Sequence, residues 1–133
     1  MQGKTFRQRV HEASEHVQFL SPAEAKEIID RGDAKVIDVG EPWQIAARGT
    51  IPGAWNISRG EIDVKADREL SRREPELQDR GQKIILTCGG GGKATLAAQI
   101  LGEMGFIDVW VIKGGYKSWA EAGYELGRPS PSP

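Results

Sequence analysis

The sequence predicts an α/β domain whose mainly parallel sheet is covered by helices on both faces. Three observations carry that expectation. Short apolar runs at residues 36–39, 84–87 and 108–112 alternate along the chain with segments of helical period. Glycine- and proline-bearing stretches punctuate the runs. The 133 residues, 38% hydrophobic and 28% charged, suit one globular domain with a moderate core and leave no length for a second catalytic domain.

Taken in order, residues 1–18 read as a short charged helical extension with Phe6, Val10 and Val17 on one side, an arm over the domain or over a partner. A main domain is expected over residues 19–127. Ser21, Pro22 and Glu24 supply an N-cap, a proline at the first helical position and the acid of a capping box. Ala25, Ile28 and Ile29 form the inward face of that helix, which Arg31-Gly32-Asp33 ends. Residues 36–39 follow as a strand. Residues 40–53 read as turn-rich, and residues 54–57 as a second short strand.

The densely charged stretch 59–82 reads as a long connection that could frame the mouth of a pocket, with a short helix near residues 74–79. Residues 84–87 are the clearest buried strand. Leu96, Ala97, Ile100, Leu101 and Met104 recur at helical spacing until Gly105 stops the helix. A strand at 108–112 and a final helix at 116–122 complete the domain. Residues 128–133, rich in proline and serine, are expected to be a disordered tail.

Eighteen basic against nineteen acidic side chains give a net charge of -1, so no nucleic-acid or anionic-membrane partner is expected. The apolar stretches are too short to cross a bilayer, and residues 1–18 carry charges of both signs where a signal peptide has its apolar core. A cytoplasmic location is therefore expected. Cys88 is the single cysteine and the histidines are His11 and His16, which excludes an internal disulfide and a Cys/His zinc site. No metal or cofactor is expected.

The chemistry concentrates at residues 86–94, Leu-Thr-Cys-Gly-Gly-Gly-Gly-Lys-Ala. A strand delivers Cys88 to its C-terminal edge, and a helix begins just beyond the glycines. Gly89, Gly90, Gly91 and Gly92 let the backbone curl so that successive N–H groups point inward as an anion nest, with Lys93 as a cation at the rim. This is the build of a loop that holds a sulfur nucleophile and the anionic group it carries or attacks. The nucleotide-type phosphate loop does not fit, because Ala94 follows Lys93 where that loop has serine or threonine.

Here the chain resembles the rhodanese-like domain family, specifically its single-domain sulfurtransferases. Val36-Ile37-Asp38-Val39 resembles the family's first-strand motif, and Thr50-Ile51-Pro52-Gly53-Ala54-Trp55-Asn56-Ile57 its Ile-Pro-Gly-Ala signature. Cys88 with Lys93 matches the six-residue active loop. Met104-Gly105-Phe106, Val109 and Gly114 through Trp119 resemble the closing pattern, Trp119 being expected to pack the last helix on the sheet.

The resemblance spans about residues 20–125 and implies a three-layer fold with a central, mainly parallel five-stranded sheet flanked by helices. It implies a thiosulfate sulfurtransferase-type enzyme in which Cys88 takes a sulfane sulfur from thiosulfate or a thiol persulfide. The resulting persulfide is then relieved by cyanide or a thiol. Cys88 is the catalytic residue on this reading, and Gly89, Gly90, Gly91, Gly92, Lys93, Asp38 and Arg59 are the substrate-binding candidates. The expected partners are small sulfur-containing anions or low-molecular-weight thiols, with a protein donor or acceptor as a further option.

Departures from the family pattern bear on specificity. Gly40 stands where an arginine is common, Thr50 where a histidine is usual, and Lys93 where arginine is commoner, giving a point charge for a planar fork. A loop without side chains predicts a shallow, permissive pocket, open to larger persulfides or a protein donor. The rivals are a sulfur carrier or interaction module of the same fold, and a cysteine phosphatase. The phosphatase needs an arginine six positions after the cysteine, where this chain has Ala94.

Overall fold

The computed structural model describes residues 2–131. Its centre is a five-stranded sheet formed by β1 (Gln18–Leu20), β2 (Lys35–Asp38), β3 (Trp55–Asn56), β4 (Ile84–Thr87) and β5 (Val109–Ile112), in the order β1-β5-β4-β2-β3. All four strand pairs are parallel. The helices are α1 (Phe6–Ser14), α2 (Pro22–Asp30), α3 (Pro42–Arg48), α4 (Ile62–Ala66), α5 (Gly92–Glu103) and α6 (Gly115–Glu121). Among the described residues no helix is long and apolar enough to cross a membrane.

Alternation along the strands feeds two cores. Ile84 and Leu86 of β4 join Ile37, Val109 and Val111 in a cluster completed by Ile62 and Ala66 of α4 and Ala94, Ala97 and Leu101 of α5. Ile85 points the other way, into a cluster with Leu20, Ala25 of α2, Ile112 and Trp119 of α6. Every residue of β4 is buried, as a strand flanked on both edges and covered on both faces must be. Trp119 packs as expected, with its indole N–H donating to the Glu125 carbonyl at 2.9 Å.

Local signals explain several boundaries. In α2 the Glu24 N–H donates to Ser21 Oγ at 3.1 Å and the Ser21 N–H donates back to Glu24 Oε1 at 2.8 Å. That backbone bond, with the serine side chain's help, holds the Glu24 carboxyl below its ordinary pKa. Gly105, in the left-handed region at φ 96°, follows α5 as the sequence suggests.

Other segments differ from expectation. Within the turn-rich stretch 40–53 lies α3, started by Pro42 and by the Glu41 N–H donating to Gln44 Oε1 at 2.9 Å. Its proline and flanking glycines are the boundaries of a helix shorter than the usual periodic window. The edge strand β1 has only three residues, too few to establish a period. In the charged stretch, α4 is an unanticipated helix, and a 3-10 turn (Pro75–Leu77) stands where a short helix was expected. Arg80 locks this segment down, donating from Nε to the Met104 carbonyl at 3.1 Å and from Nη2 to the Ala66 carbonyl at 2.8 Å.

The tail also departs from expectation over residues 128–130. The Gly53 N–H donates to the Arg128 carbonyl at 3.0 Å, and the Ser130 N–H donates to the Ala54 carbonyl at 2.8 Å. Gly127 and Thr50 form an antiparallel bridge just before them. These backbone bonds pin the tail to the Ile-Pro-Gly segment rather than leaving it frayed. Residues 132 and 133 of the tail, and Met1 of the extension, lie outside the described residues. The extension itself folds back, with α1 packed on α5 and Phe6 and Val10 against Gly92.

Candidate active site

Cys88 leaves β4 at the C-terminal edge of the sheet, the edge where open parallel sheets bring loops together around a ligand. Its sulfur accepts two backbone hydrogen bonds, from the Gly91 N–H at 3.1 Å and the Ala94 N–H at 3.4 Å. Gly91, at φ 100°, makes the left-handed turn that aims the first of these donors. Thr95 anchors the next peptide of the turn, its hydroxyl and its N–H both donating to the Gly91 carbonyl, at 2.7 and 3.0 Å. Of the successive N–H groups expected to point inward from the glycine run, Gly91 alone donates to Sγ, and the first turn of α5 supplies the second donor, Ala94.

The loop is held from behind by the start of α6. The Tyr116 N–H donates to the Cys88 carbonyl at 2.9 Å. A Cβ at Gly115, itself at φ 65°, would lie 2.5 Å from the carbonyl oxygens of both Cys88 and Gly89. Only glycine lets these two backbone segments meet. The Gly114-Gly115 pair of the closing motif therefore serves the reactive loop directly.

Above Cys88 opens a cleft of about 630 Å³ whose walls come from other elements. Phe6 of α1, Trp43 and Arg48 of α3, and Tyr116 of α6 line it together with Gly40 and Lys93. Cys88 sits at its bottom, only 2% exposed. Side chains distant in sequence build the sides that the bare loop lacks, around a cleft that stays open.

Arg48 is the residue that sequence reasoning missed. Its guanidinium grips Asp38 in a two-pronged pair, Nη1 to Oδ2 at 3.0 Å and Nη2 to Oδ1 at 3.1 Å, and lies 4.4 Å above the Tyr116 ring. A Cβ at position 40 would stand 2.7 Å from Arg48 Nη2. The bare Gly40, where the resemblance leads one to expect arginine, is thus the space this guanidinium occupies. Thr50, in the place of the usual histidine, donates its hydroxyl to Asp38 Oδ2 at 2.7 Å. A buried aspartate demands a partner, which was the available signal, but nothing in the order of residues singled out Arg48.

Asp38 is fully buried and accepts from the Gly40 N–H at 2.8 Å in addition to Arg48 and Thr50. It lies beneath the cleft and outside its lining, where it pairs with a basic residue and holds the Gly40 backbone. Arg59 is also displaced from its expected role. It is half-buried beyond β3, its N–H donates to the Val39 carbonyl, and its side chain does not line the cleft. No residue of the charged stretch 59–82 does so. Gly89, Gly90, Gly92 and Lys93 line the cleft, while Gly91 contributes its N–H from below. Among the described residues no cluster of His, Cys, Asp and Glu is arranged to hold a metal ion.

Cys88 thus lies in a backbone nest at the C-terminal edge of a parallel sheet, at the base of a cleft with Lys93 and Arg48 in its walls, in a domain of the α/β class. The model of the rhodanese-like domain matches residues 21–122, and the chain belongs to that family. Thiosulfate sulfurtransferase GlpE of Pseudoalteromonas translucida is 32% identical over 106 residues, covering 79% of this chain and 90% of the relative. A tRNA uridine(34) hydroxylase of Cytophaga hutchinsonii is 32% identical over 114 residues, 80% of this chain but 35% of that protein, so the chain spans about a third of its length. A solved structure from Rhodopseudomonas palustris, described as a possible tyrosine phosphatase, superposes with a TM-score of 0.88 at 27% identity, covering 96% of this chain and 97% of the other. That likeness takes in α1. Family and relatives together support sulfur transfer as the general chemistry.

Proposed function

We propose that the protein is a sulfurtransferase that works by double displacement through a persulfide on Cys88. The observation that carries this reading is the pair of N–H donors, from Gly91 and Ala94, aimed at a sulfur at the base of an open cleft. In the first step the Cys88 thiolate attacks the outer sulfur of thiosulfate. A sulfur–sulfur bond forms on Cys88, the bond within thiosulfate breaks, and sulfite leaves with its electron pair. In the second step cyanide or a thiolate attacks the terminal persulfide sulfur, departing as thiocyanate or a new persulfide and returning the Cys88 thiolate.

Each state of this cycle keeps negative charge near one point. Fixed backbone donors suit that requirement, since they need no reorganisation as charge passes between the two sulfurs. Lys93 at the rim attracts anionic donors, and the Arg48 guanidinium, partly neutralised by Asp38, gives the wall a directional donor surface. Small sulfur-containing anions and low-molecular-weight thiols are the substrates this cleft favours.

The phosphatase reading suggested by the description of the Rhodopseudomonas protein is disfavoured here. A cysteine phosphatase relies on a guanidinium to clamp the phosphoryl oxygens, and the sixth position after Cys88 is the buried methyl of Ala94. Steady-state kinetics with thiosulfate and cyanide test the proposal. A ping-pong pattern, with parallel double-reciprocal lines and thiocyanate as product, is expected. Intersecting lines, or phosphate release from aryl phosphates without thiocyanate formation, would refute it.

A further inference from the structure

Five large apolar side chains are exposed among the described residues, and two of them, Phe6 and Trp43, border the Cys88 cleft. Phe6 is 52% exposed and Trp43 71%. They reach the cleft from different elements, α1 and the first turn of α3, and neither completes a core cluster. Phe19, Leu70 and Ile107, the other three, lie away from the cleft. Two exposed aromatic rings lining one cleft differ from apolar residues scattered singly over a surface.

The placement of Phe6 depends on the reactive loop. Its ring atoms Cε2 and Cζ would lie 3.1 Å from a Cβ built on Gly92, so the absence of a side chain there lets the ring settle onto the loop. Capping fixes the helix that carries it: the Gln8 N–H donates to Thr5 Oγ1 at 3.1 Å, and the Thr5 N–H donates back to Gln8 Oε1 at 2.8 Å. The cleft thus combines backbone N–H groups around Cys88 with the cations Lys93 and Arg48 and the apolar side chains of Phe6, Trp43 and Ala47. Its volume falls in the range of pockets that enclose a substituted organic molecule, and far exceeds the needs of an inorganic anion.

We infer that Phe6 and Trp43 select sulfur donors in which the anionic sulfane sulfur is attached to an aromatic group, the ring resting between them while the sulfur reaches Cys88. This rests on the sulfurtransferase reading. For a donor of the type R–SO2–S⁻, Cys88 thiolate attacks the terminal sulfur, the persulfide forms on Cys88, and the sulfinate R–SO2⁻ leaves with the electrons of the broken sulfur–sulfur bond. The N-terminal helix is then part of the specificity site.

The test compares benzenethiosulfonate with methanethiosulfonate, which share the reacting group and differ in R. Binding is measured by calorimetry on the full chain carrying Cys88→Ser, so that the result does not depend on turnover. Benzenethiosulfonate is expected to bind about tenfold more tightly, the worth of half-covering an aromatic ring. Phe6→Ala and Trp43→Ala in that background are each expected to cut the ratio about threefold. Trp43 is mostly exposed, so its variant folds whatever α1 does. Equal affinity for the two probes, or a preference that survives both substitutions, overturns the inference. Turnover of methanethiosulfonate by the unsubstituted protein separately tests sulfur transfer: if it proceeds while the binding preference is absent, only the aromatic selection fails.

Discussion

The floor of the cleft and its walls teach different things about how this chain makes a site. The floor is one continuous run, residues 88–94, whose working groups are backbone N–H donors around Cys88. The walls come from α1, α3 and α6, and their working groups are side chains: Phe6, Trp43, Arg48 and Tyr116. A backbone floor defines what kind of atom can react, since it recognises negative charge at one point. Side-chain walls determine which molecule brings that atom. The floor can therefore stay unchanged while substitutions in the walls redirect specificity.

Breaking the floor from behind should give the largest effect. Gly115→Ala forces a Cβ against the Cys88 and Gly89 carbonyl oxygens at a positive φ, and neither backbone segment can yield without moving the nest. Thermal denaturation is expected to report a loss of about 3–5 kcal/mol, and sulfur transfer should fall with it. Normal stability with normal activity would mean that the α6 start is irrelevant to the loop.

The join between floor and wall is the Asp38–Arg48 pair. Arg48→Ala leaves a fully buried carboxylate with Thr50 and one backbone N–H, at an expected cost of about 3 kcal/mol in chemical denaturation. The double variant Asp38→Asn with Arg48→Ala should lose clearly less than the sum of the single losses, because no buried charge is stranded. Strict additivity would show that the pair is not coupled.

At the rim, Lys93→Ala should have the smallest effect. KM for anionic donors is expected to rise about threefold to tenfold with kcat nearly constant, as for an interaction made equally in ground and transition states. The increase should shrink at high salt, because the cation is partly solvated. A fall in kcat instead would move Lys93 from the wall into the chemistry of the floor.

The same contrast explains what the sequence made legible. The strands at 84–87 and 109–112, the long helix after the glycines and the Cys88 loop were readable because each depends on neighbours in the chain: β-branched runs, a helical period, a cluster of glycines. The curled backbone followed from the glycines, but its donors did not: of the glycine run only the Gly91 N–H reaches Sγ, and the second donor is Ala94 beyond the run. Helix α3 escaped notice because Pro42, Gly49, Pro52 and Gly53 read as turn residues, although the first two start and end a helix. Arg48 escaped because its meaning is non-local, residing in the space left at Gly40 and in the charge of Asp38. Phe6 was legible only as part of the apolar side of an arm, since the fold-back of α1 onto α5 is what brings it to the loop. The pinned tail likewise depends on a bridge between Thr50 and Gly127.

The central claim is that Cys88 carries the sulfur, and intact-mass spectrometry tests it most directly. The reduced protein is mixed with thiosulfate, and in parallel with glutathione persulfide, beside the Cys88→Ser variant, and each sample is weighed before and after cyanide. A gain of about 32 Da on the unsubstituted protein alone, reversed by cyanide with release of thiocyanate, is the predicted result. A folded protein with a reduced thiol that gains no sulfur from either donor, or a gain that persists in Cys88→Ser, would contradict the account.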